Sequence, residues 1–342
     1  MWLGTSSNWS FGRRLLALAH YQVYGIPLPT ENLLFDGESY DLGWNGLPSQ
    51  AATRDIALPT ADFAIYLINA VKFHCSQLFH LFDEGTFMVS FGKLHEQADG
   101  RKNCSDLWFV HYLLVLAIGK ALVAPKGKGK QPSGAELFVQ AMKLLPSGVF
   151  LWNDPLQSIE VLSCAALYLQ CLDLRIAAST YVGQAVRLAL AFGLHTDMPR
   201  GQFHSDATLE RCREIWWTIY ILDCHMSALL GTPFTLNEQD ANTQLPAFDG
   251  SMVRRHALSI QVKLAQATAF ILRTVYSKDG PAGSDSFVSS MKAALKRLAD
   301  INDEDMAIFP LRNDSTSGIS RLSAHLHLFH HQVICHTQLD ND

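Results

Sequence analysis

The sequence predicts an all-α protein, a multi-helix bundle of helical hairpins packed in antiparallel and orthogonal pairs. Three observations carry that prediction. Apolar residues recur three and four positions apart along most of the 342-residue chain. The apolar segments are bounded by helix-capping and helix-stopping residues. No run of alternating polar and apolar residues reads as a half-buried strand. A 48% apolar and only 17% charged composition provides material for an extensive core.

Residues 1–57 combine a short helical stretch, Gly12 to His20, with a loop rich in Pro, Gly and Asn. The next helix is expected from Thr60 to Phe82, with Thr60 as N-cap and Phe63, Leu67, Val71, Leu78 and Phe82 on its apolar face. Leu107–Val123 forms another helix. The apolar stretch Leu107–Ala124 is barely long enough to span a bilayer, but it contains His111 and Lys120 and is expected to be a buried helix. A basic linker, Ala124–Gly134, carries Lys126, Lys128 and Lys130. No Gly-Lys in it is followed by Ser or Thr, so it is not a phosphate-binding loop.

Beyond the linker the start and stop signals sharpen. Asp154, Pro155 and Gln157 read as N-cap, first position and capping box of a helix running to Cys171. Its Leu156, Ile159, Leu162, Ala166 and Leu169 fall on one side. After a break at Leu172–Arg175, a second helix runs from Ile176 to Phe192. It stops at Gly193, with Leu194 closing its end. So short a connection makes the pair antiparallel. Ala165, Ala166, Ala177, Ala178, Gly183 and Ala185 allow close approach.

A third helix opens at Ser205 or Asp206 and ends at Gly231, with Pro233 beyond it. Leu209, Cys212, Trp216, Ile219, Met226 and Leu230 mark its buried stripe. Glu210, Arg211, Arg213 and Glu214 are assigned to its polar side, so loss of Arg211 should matter little. Arg213 is placed to stack on Trp217. Asp223 lies within an apolar run and therefore needs a basic partner or a backbone to cap.

Composition and motifs exclude several classes of function. A net charge of −5 offers no electrostatic footprint for nucleic acid. The seven cysteines are odd in number, scattered and without C-x₂-C spacing, which argues for free thiols and against a zinc site. Cys164 and Cys171 share a helix face in an apolar setting that keeps thiols protonated. His325, His327, His330, His331 and His336 cluster near the C-terminus. His327 and His331 have metal-capable spacing, but no acidic residue lies at a helpful offset, so a polar helix face is the expectation. The sequence contains no H-E-x-x-H, no G-x-S-x-G and no dinucleotide fingerprint. No catalytic, cofactor-binding or metal-ligating residue is assigned, and the chain is expected not to be an enzyme. No secretory signal is visible at the N-terminus.

The ordered stretches Ser158-Ile-Glu-Val-Leu162, Ala166-Leu-Tyr-Leu-Gln170, Ala185-Val-Arg-Leu-Ala189, Gly193-Leu-His195, Arg213-Glu-Ile-Trp-Trp217, Tyr220-Ile-Leu-Asp223 and Gly231-Thr-Pro233 are recognisable together. The run Leu156–Pro246 resembles the fungal-specific transcription factor domain, the middle homology region of zinc binuclear cluster regulators. Weaker similarity reaches Leu58-Pro-Thr60, Phe82–Phe87 and Val275-Tyr276, and Gly4–Arg13 resembles a segment such regulators carry before this region. Two departures stand out: the family's six-cysteine cluster is not in this sequence, and Cys224 follows Asp223 where relatives often have Arg.

The resemblance implies a regulatory domain acting in the nucleus, with no zinc of its own because the cluster is absent. Protein partners or self-association, and a small-molecule effector, are the implied contacts. DNA is reached only through another segment, and no membrane is involved. The corresponding division is 1–57 as an N-terminal segment, 58–250 as the regulatory domain and 251–342 as its helical continuation. The alternative is a stand-alone interaction or small-molecule-sensing protein that modulates a full-length regulator.

Overall fold

The computed structural model describes residues 7–29, 40–46, 58–96, 106–123, 130–198, 205–236, 242–274, 285–309 and 321–337. Lys126 and Lys128 of the basic linker, Cys104, Gly4–Ser6 and Val275-Tyr276 lie outside these residues, as do the side chains of Cys335 and His336. The described residues contain eleven α-helices and no strand, as the periodicity predicts. They divide into two compact units, residues 36–219 and residues 1–35 with 220–342.

The larger unit is organised around one helix. It contains α2 (Ala61–Cys75), α3 (Glu84–Glu96), α4 (Asp106–Val123), α5 (Ala135–Leu144), α6 (Pro155–Cys171), α7 (Arg175–Ala191) and the first half of α8 (Asp206–Leu230). Helix α4 packs against α2, α5 and α6, and every residue from Trp108 to Gly119 is buried. That all-round burial explains why its apolar run shows so little periodicity. Two glycines set the approach of its neighbours. A Cβ on Gly119 would lie 2.6 Å from the Leu67 carbonyl oxygen of α2. Gly134, at φ 84°, caps α5 where a Cβ would meet the Ala117 backbone at 2.5 Å. Side chains at either position would force the helices apart.

Helix ends follow local chemistry closely. Thr60 accepts the Phe63 N–H and Asp154 accepts the Gln157 N–H, the expected N-caps. Helix α7 ends as expected: Gly193 is left-handed at φ 73°, with Leu194 N–H to Ala189 O and Gly193 N–H to Leu190 O. Helix α6 closes in the same way without a glycine. Asp173 takes φ 61°, and Leu174 N–H reaches Leu169 O. Aspartate tolerates this conformation better than most residues, so the turn of the α6–α7 hairpin needs no glycine. Ala165, Ala166, Ala178 and Ala185 are buried in the hairpin, whereas a Cβ on Gly183 would meet nothing within 4 Å. Gly183 therefore does not mediate close approach.

One sequence expectation fails here. Helix α2 ends at Cys75, seven residues short of Phe82, and its buried face is Ala64, Leu67, Ile68 and Val71, with Phe63 45% exposed. Residues 79–83 have no regular secondary structure, and α3 then starts under an Asp83 cap that accepts the Thr86 N–H. The reason lies in tertiary hydrogen bonds. The His80 N–H donates to Thr218 Oγ1, while Leu81 O accepts from His111 Nε2 and Cys164 Sγ. Side chains from three other helices thus satisfy backbone groups that a continued helix would have paired internally.

The smaller unit contains α1 (Asn8–Tyr24), the second half of α8, α9 (Met252–Thr274), α10 (Asp285–Ile308) and α11 (Arg321–Thr337), with α9, α10 and α11 mutually packed. Within it Asp223 accepts a bond from the Thr235 hydroxyl at 3.2 Å, so it ties down the chain just after α8. The C-terminal histidines do not form a polar face. His327 and His330 are buried and bond to Phe309 O and Leu298 O, fastening α11 to α10, while His331 is exposed. Burial, not solvation, explains these two histidines.

Replacing Gly119 tests the packing of α2 on α4. Gly119→Ala gains about 1 kcal/mol of helix propensity. The added methyl meets backbone, which cannot rotate away, and overpacking of this kind costs about 1–3 kcal/mol. Urea denaturation should show a net loss of stability, and a gain would show that the two helices separate freely.

Candidate functional site: a buried ionic cluster beside an aromatic cleft

Helix α6 is buried nearly all round, and in its second turn it carries a carboxylate, Glu160, only 1% exposed. An isolated charge at such a depth would be very costly, so its partners decide whether it can be ionised. Arg211 of α8 meets it with two parallel bonds, Nε to Oε1 at 2.8 Å and Nη2 to Oε2 at 2.7 Å. His80 Nε2 donates to the same Oε1 at 2.8 Å. The other ring nitrogen, Nδ1, lies 2.9 Å from Glu214 Oε2 of α8. With a carboxylate at each nitrogen, both ring nitrogens act as donors and His80 is an imidazolium. Two carboxylates and two cations therefore balance inside the unit.

The electrostatics follow from this pairing. For His80, burial alone would lower the pKa, but bonds from Glu160 and Glu214 together outweigh it and raise the value to about 9. For Glu160, burial would raise the pKa, but the bonds from His80 and Arg211 prevail and hold it at about 2. Arg211 is likewise held charged, with Asp83 and Asp154 adding to the effect of Glu160.

A second histidine completes the site. His111 of α4, 1% exposed, donates its Nε2–H to Leu81 O at 2.8 Å. Burial lowers its pKa despite the nearby Glu160 charge, so the ring is neutral and Nδ1 carries a lone pair. His111, Glu160 and Arg211 all line a cleft of ≈ 240 Å³ whose walls include Phe82, Phe87 and Trp108. Thr86 and Asp154 form its exposed rim, and Phe87 and Trp108 are buried. The rings touch edge to face, with Phe87 and His111 centroids 5.4 Å apart at 82°.

Arg211 was expected on the polar side of α8, where its loss would matter little. It instead forms the bidentate bond to Glu160 and belongs to the cluster. Arg213 is also buried and pairs with Glu210 at 2.7 Å, while Trp216, fully buried, lies beside the His195 ring as its stripe predicts. His80 and Glu160 were not singled out from sequence. Glu160 sits among Ser158, Ile159, Val161 and Leu162, the same signal of a carboxylate in an apolar run that drew attention to Asp223. Cys164, Cys212 and Cys224 are buried free thiols as expected, whereas Cys75 is half-buried and Cys171 is exposed. Burial, with the Glu160 charge behind it, pushes the Cys164 thiol well up. Among the described residues no three His, Cys, Asp or Glu side chains are grouped to hold a metal ion.

Two measurements probe the cluster. Glu160→Gln leaves two buried cations without their shared anion, and Arg211→Ala strips the carboxylate of its bidentate donor. Each should cost about 3–5 kcal/mol in chemical denaturation, and a cost under about 0.5 kcal/mol for Arg211→Ala would restore it to the surface. The second measurement is the stability difference between the parent and His80→Gln as a function of pH. Because the folded pKa is raised, the His80 contribution is full below its unfolded value near 6.5 and disappears as pH climbs through about 9. A difference that is constant across this window would show that His80 does not carry the charge.

Comparison with known proteins places this arrangement in a family. The sequence pattern of the fungal specific transcription factor domain matches residues 65–332. "Activator of stress genes 1" of Saccharomyces cerevisiae is 26% identical over 199 residues, 56% of this chain and 20% of that protein. "Transcriptional activator protein acu-15" of Neurospora crassa is 32% identical over 106 residues, 28% of this chain and 11% of that protein. "Transcription factor asqA" of Emericella nidulans is 36% identical over 84 residues, 24% of this chain and 14% of that protein. The chain thus spans a fifth or less of the length of these three relatives. No solved structure matches it. The names of these relatives are those of transcription regulators and not of enzymes. With its matched region running from the middle of α2 into α11, the chain belongs to the fungal-specific transcription factor domain family.

Proposed function

We propose that this chain is the regulatory helical body of a fungal zinc-cluster-type transcription regulator, controlling expression of a set of genes. The observation that supports it most is the family match over residues 65–332. The net charge of −5 supports a reading in which DNA is contacted by a segment outside these residues. In this reading the chain works in the nucleus, with protein partners or further copies of itself. It requires no metal, cofactor or membrane, and it performs no catalysis. Helix α4 is apolar enough to cross a bilayer by composition, but its burial against α2, α5 and α6 gives that composition a packing role. A stand-alone protein that modulates a full-length regulator is the weaker reading, because the matched relatives are themselves named as activators and transcription factors.

The test has two arms. In a gel-shift titration the isolated chain should bind DNA only weakly, without sequence preference, and less so as salt rises. Fused to an unrelated DNA-binding domain, it should change the expression of a reporter bearing that domain's site. Sequence-selective nanomolar binding by the chain alone would overturn the assignment of DNA contact elsewhere. A fusion that leaves the reporter unaltered under all growth conditions would overturn the regulatory role.

A further inference from the structure

Two hydrogen-bond acceptors lie 4.0 Å apart on residues that line the cleft. Leu81 O holds the proton of His111 on Nε2, which leaves the Nδ1 lone pair without a hydrogen-bond partner among the described residues, although His111 is only 1% exposed. The nearest charged atom to it is Glu160 Oε2, at 4.0 Å, and a carboxylate oxygen can only accept. Burying a polar atom in this state is unfavourable unless something donates to it. One atom about 2.8 Å from each acceptor spans a 4.0 Å gap comfortably, provided that it carries two hydrogens. An alcohol hydroxyl has one, water has two, and a primary ammonium has three.

The surroundings select among such donors. Asp83 and Asp154 cap the N-termini of α3 and α6 at the cleft. Each helix end carries roughly half a positive charge, which offsets about half of the two aspartates' charge. The four-membered cluster behind them is balanced, so the cleft retains a net negative charge of about one. The walls, Phe82, Phe87 and Trp108, offer aromatic surface that favours a cation over an anion. A space of ≈ 240 Å³ corresponds to about eight non-hydrogen atoms at the volume of liquid water.

We propose that this cleft is a binding site for a small primary ammonium compound, whose N–H groups bridge His111 Nδ1 and Glu160 Oε2 while its apolar body lies against Phe87 and Trp108. The site lies wholly within the larger unit. The inference concerns binding to the chain itself, so it stands or falls separately from the transcriptional reading.

Benzylamine, with eight non-hydrogen atoms, is a suitable probe. A ligand of that size is expected to bind with a dissociation constant of roughly 20 mM or tighter. Its titration into the full chain should saturate and should move the imidazole ¹⁵N resonance of His111 Nδ1, which requires no variant. N,N-dimethylbenzylamine keeps the charge but has a single N–H, and benzyl alcohol has one O–H and no charge. Each should bind about tenfold or more weaker, because each leaves one of the two acceptors unpaired. His111→Phe, which keeps an aromatic ring, should reduce benzylamine binding by a similar factor. Failure of benzylamine to saturate, or an unmoved Nδ1 resonance, would mean that the cleft holds water only and would overturn the proposal. Equal binding of the comparators, or full binding by a folded His111→Phe, would overturn it as well.

Discussion

The buried carboxylate of Glu160 is the constraint to which the larger unit answers. A charge at that depth must be matched, and the groups that match it come from distant parts of the chain. Arg211 arrives on α8 and His80 on the non-helical segment after α2, while Glu214 balances the far side of the imidazole. An ion pair of this kind is often no more stabilising than a well-packed apolar substitute. Its effect is to specify arrangement: α6, α8 and residues 79–83 can meet in one register only, since any slip strands a charge. Bidentate geometry adds direction to that requirement, because a planar guanidinium reaches both carboxylate oxygens from one angle.

The same constraint opens the cleft. For His80 to reach Glu160, the helix ends at Cys75, and a turn and a non-helical run lead to Asp83, which caps α3. The exposed backbone groups of that run must then find partners, and they find the side chains of Thr218, His111 and Cys164. His111 is thereby fixed in one tautomer, with its second nitrogen buried and without a hydrogen-bond partner among the described residues. The aromatic walls and the two capping aspartates are brought to the cleft by the same departure.

In the proposed regulatory role, a ligand bound in the cleft would act on the same groups that hold α6 and α8 together. Helix α4, buried from Trp108 to Gly119, supplies the frame against which such a change would be felt.

The helices themselves were legible in the sequence because helix signals are local. Caps at Thr60 and Asp154, the left-handed Gly193 and Gly231, and the buried stripe through Trp216 depend on residues a few positions apart, and each was placed correctly. The family was legible for a similar reason, since it is carried by short ordered stretches. Long-range pairing left much fainter traces. The periodicity after Cys75 continues into Leu78 and Phe82, so nothing nearby announced that the helix would stop. Arg211 lies beside Glu210 and near Glu214, which reads as a solvated face until Glu160, fifty-one residues earlier in the chain, is brought to it. The buried His327 and His330 gave a comparable false impression, because only the fold shows which carbonyls receive them. Sequence alone determined where the chain coils, since that choice is made within a turn or two of helix. Which charges are buried, and therefore where the site lies, was decided by tertiary structure, because a charge's cost depends on what surrounds it in space.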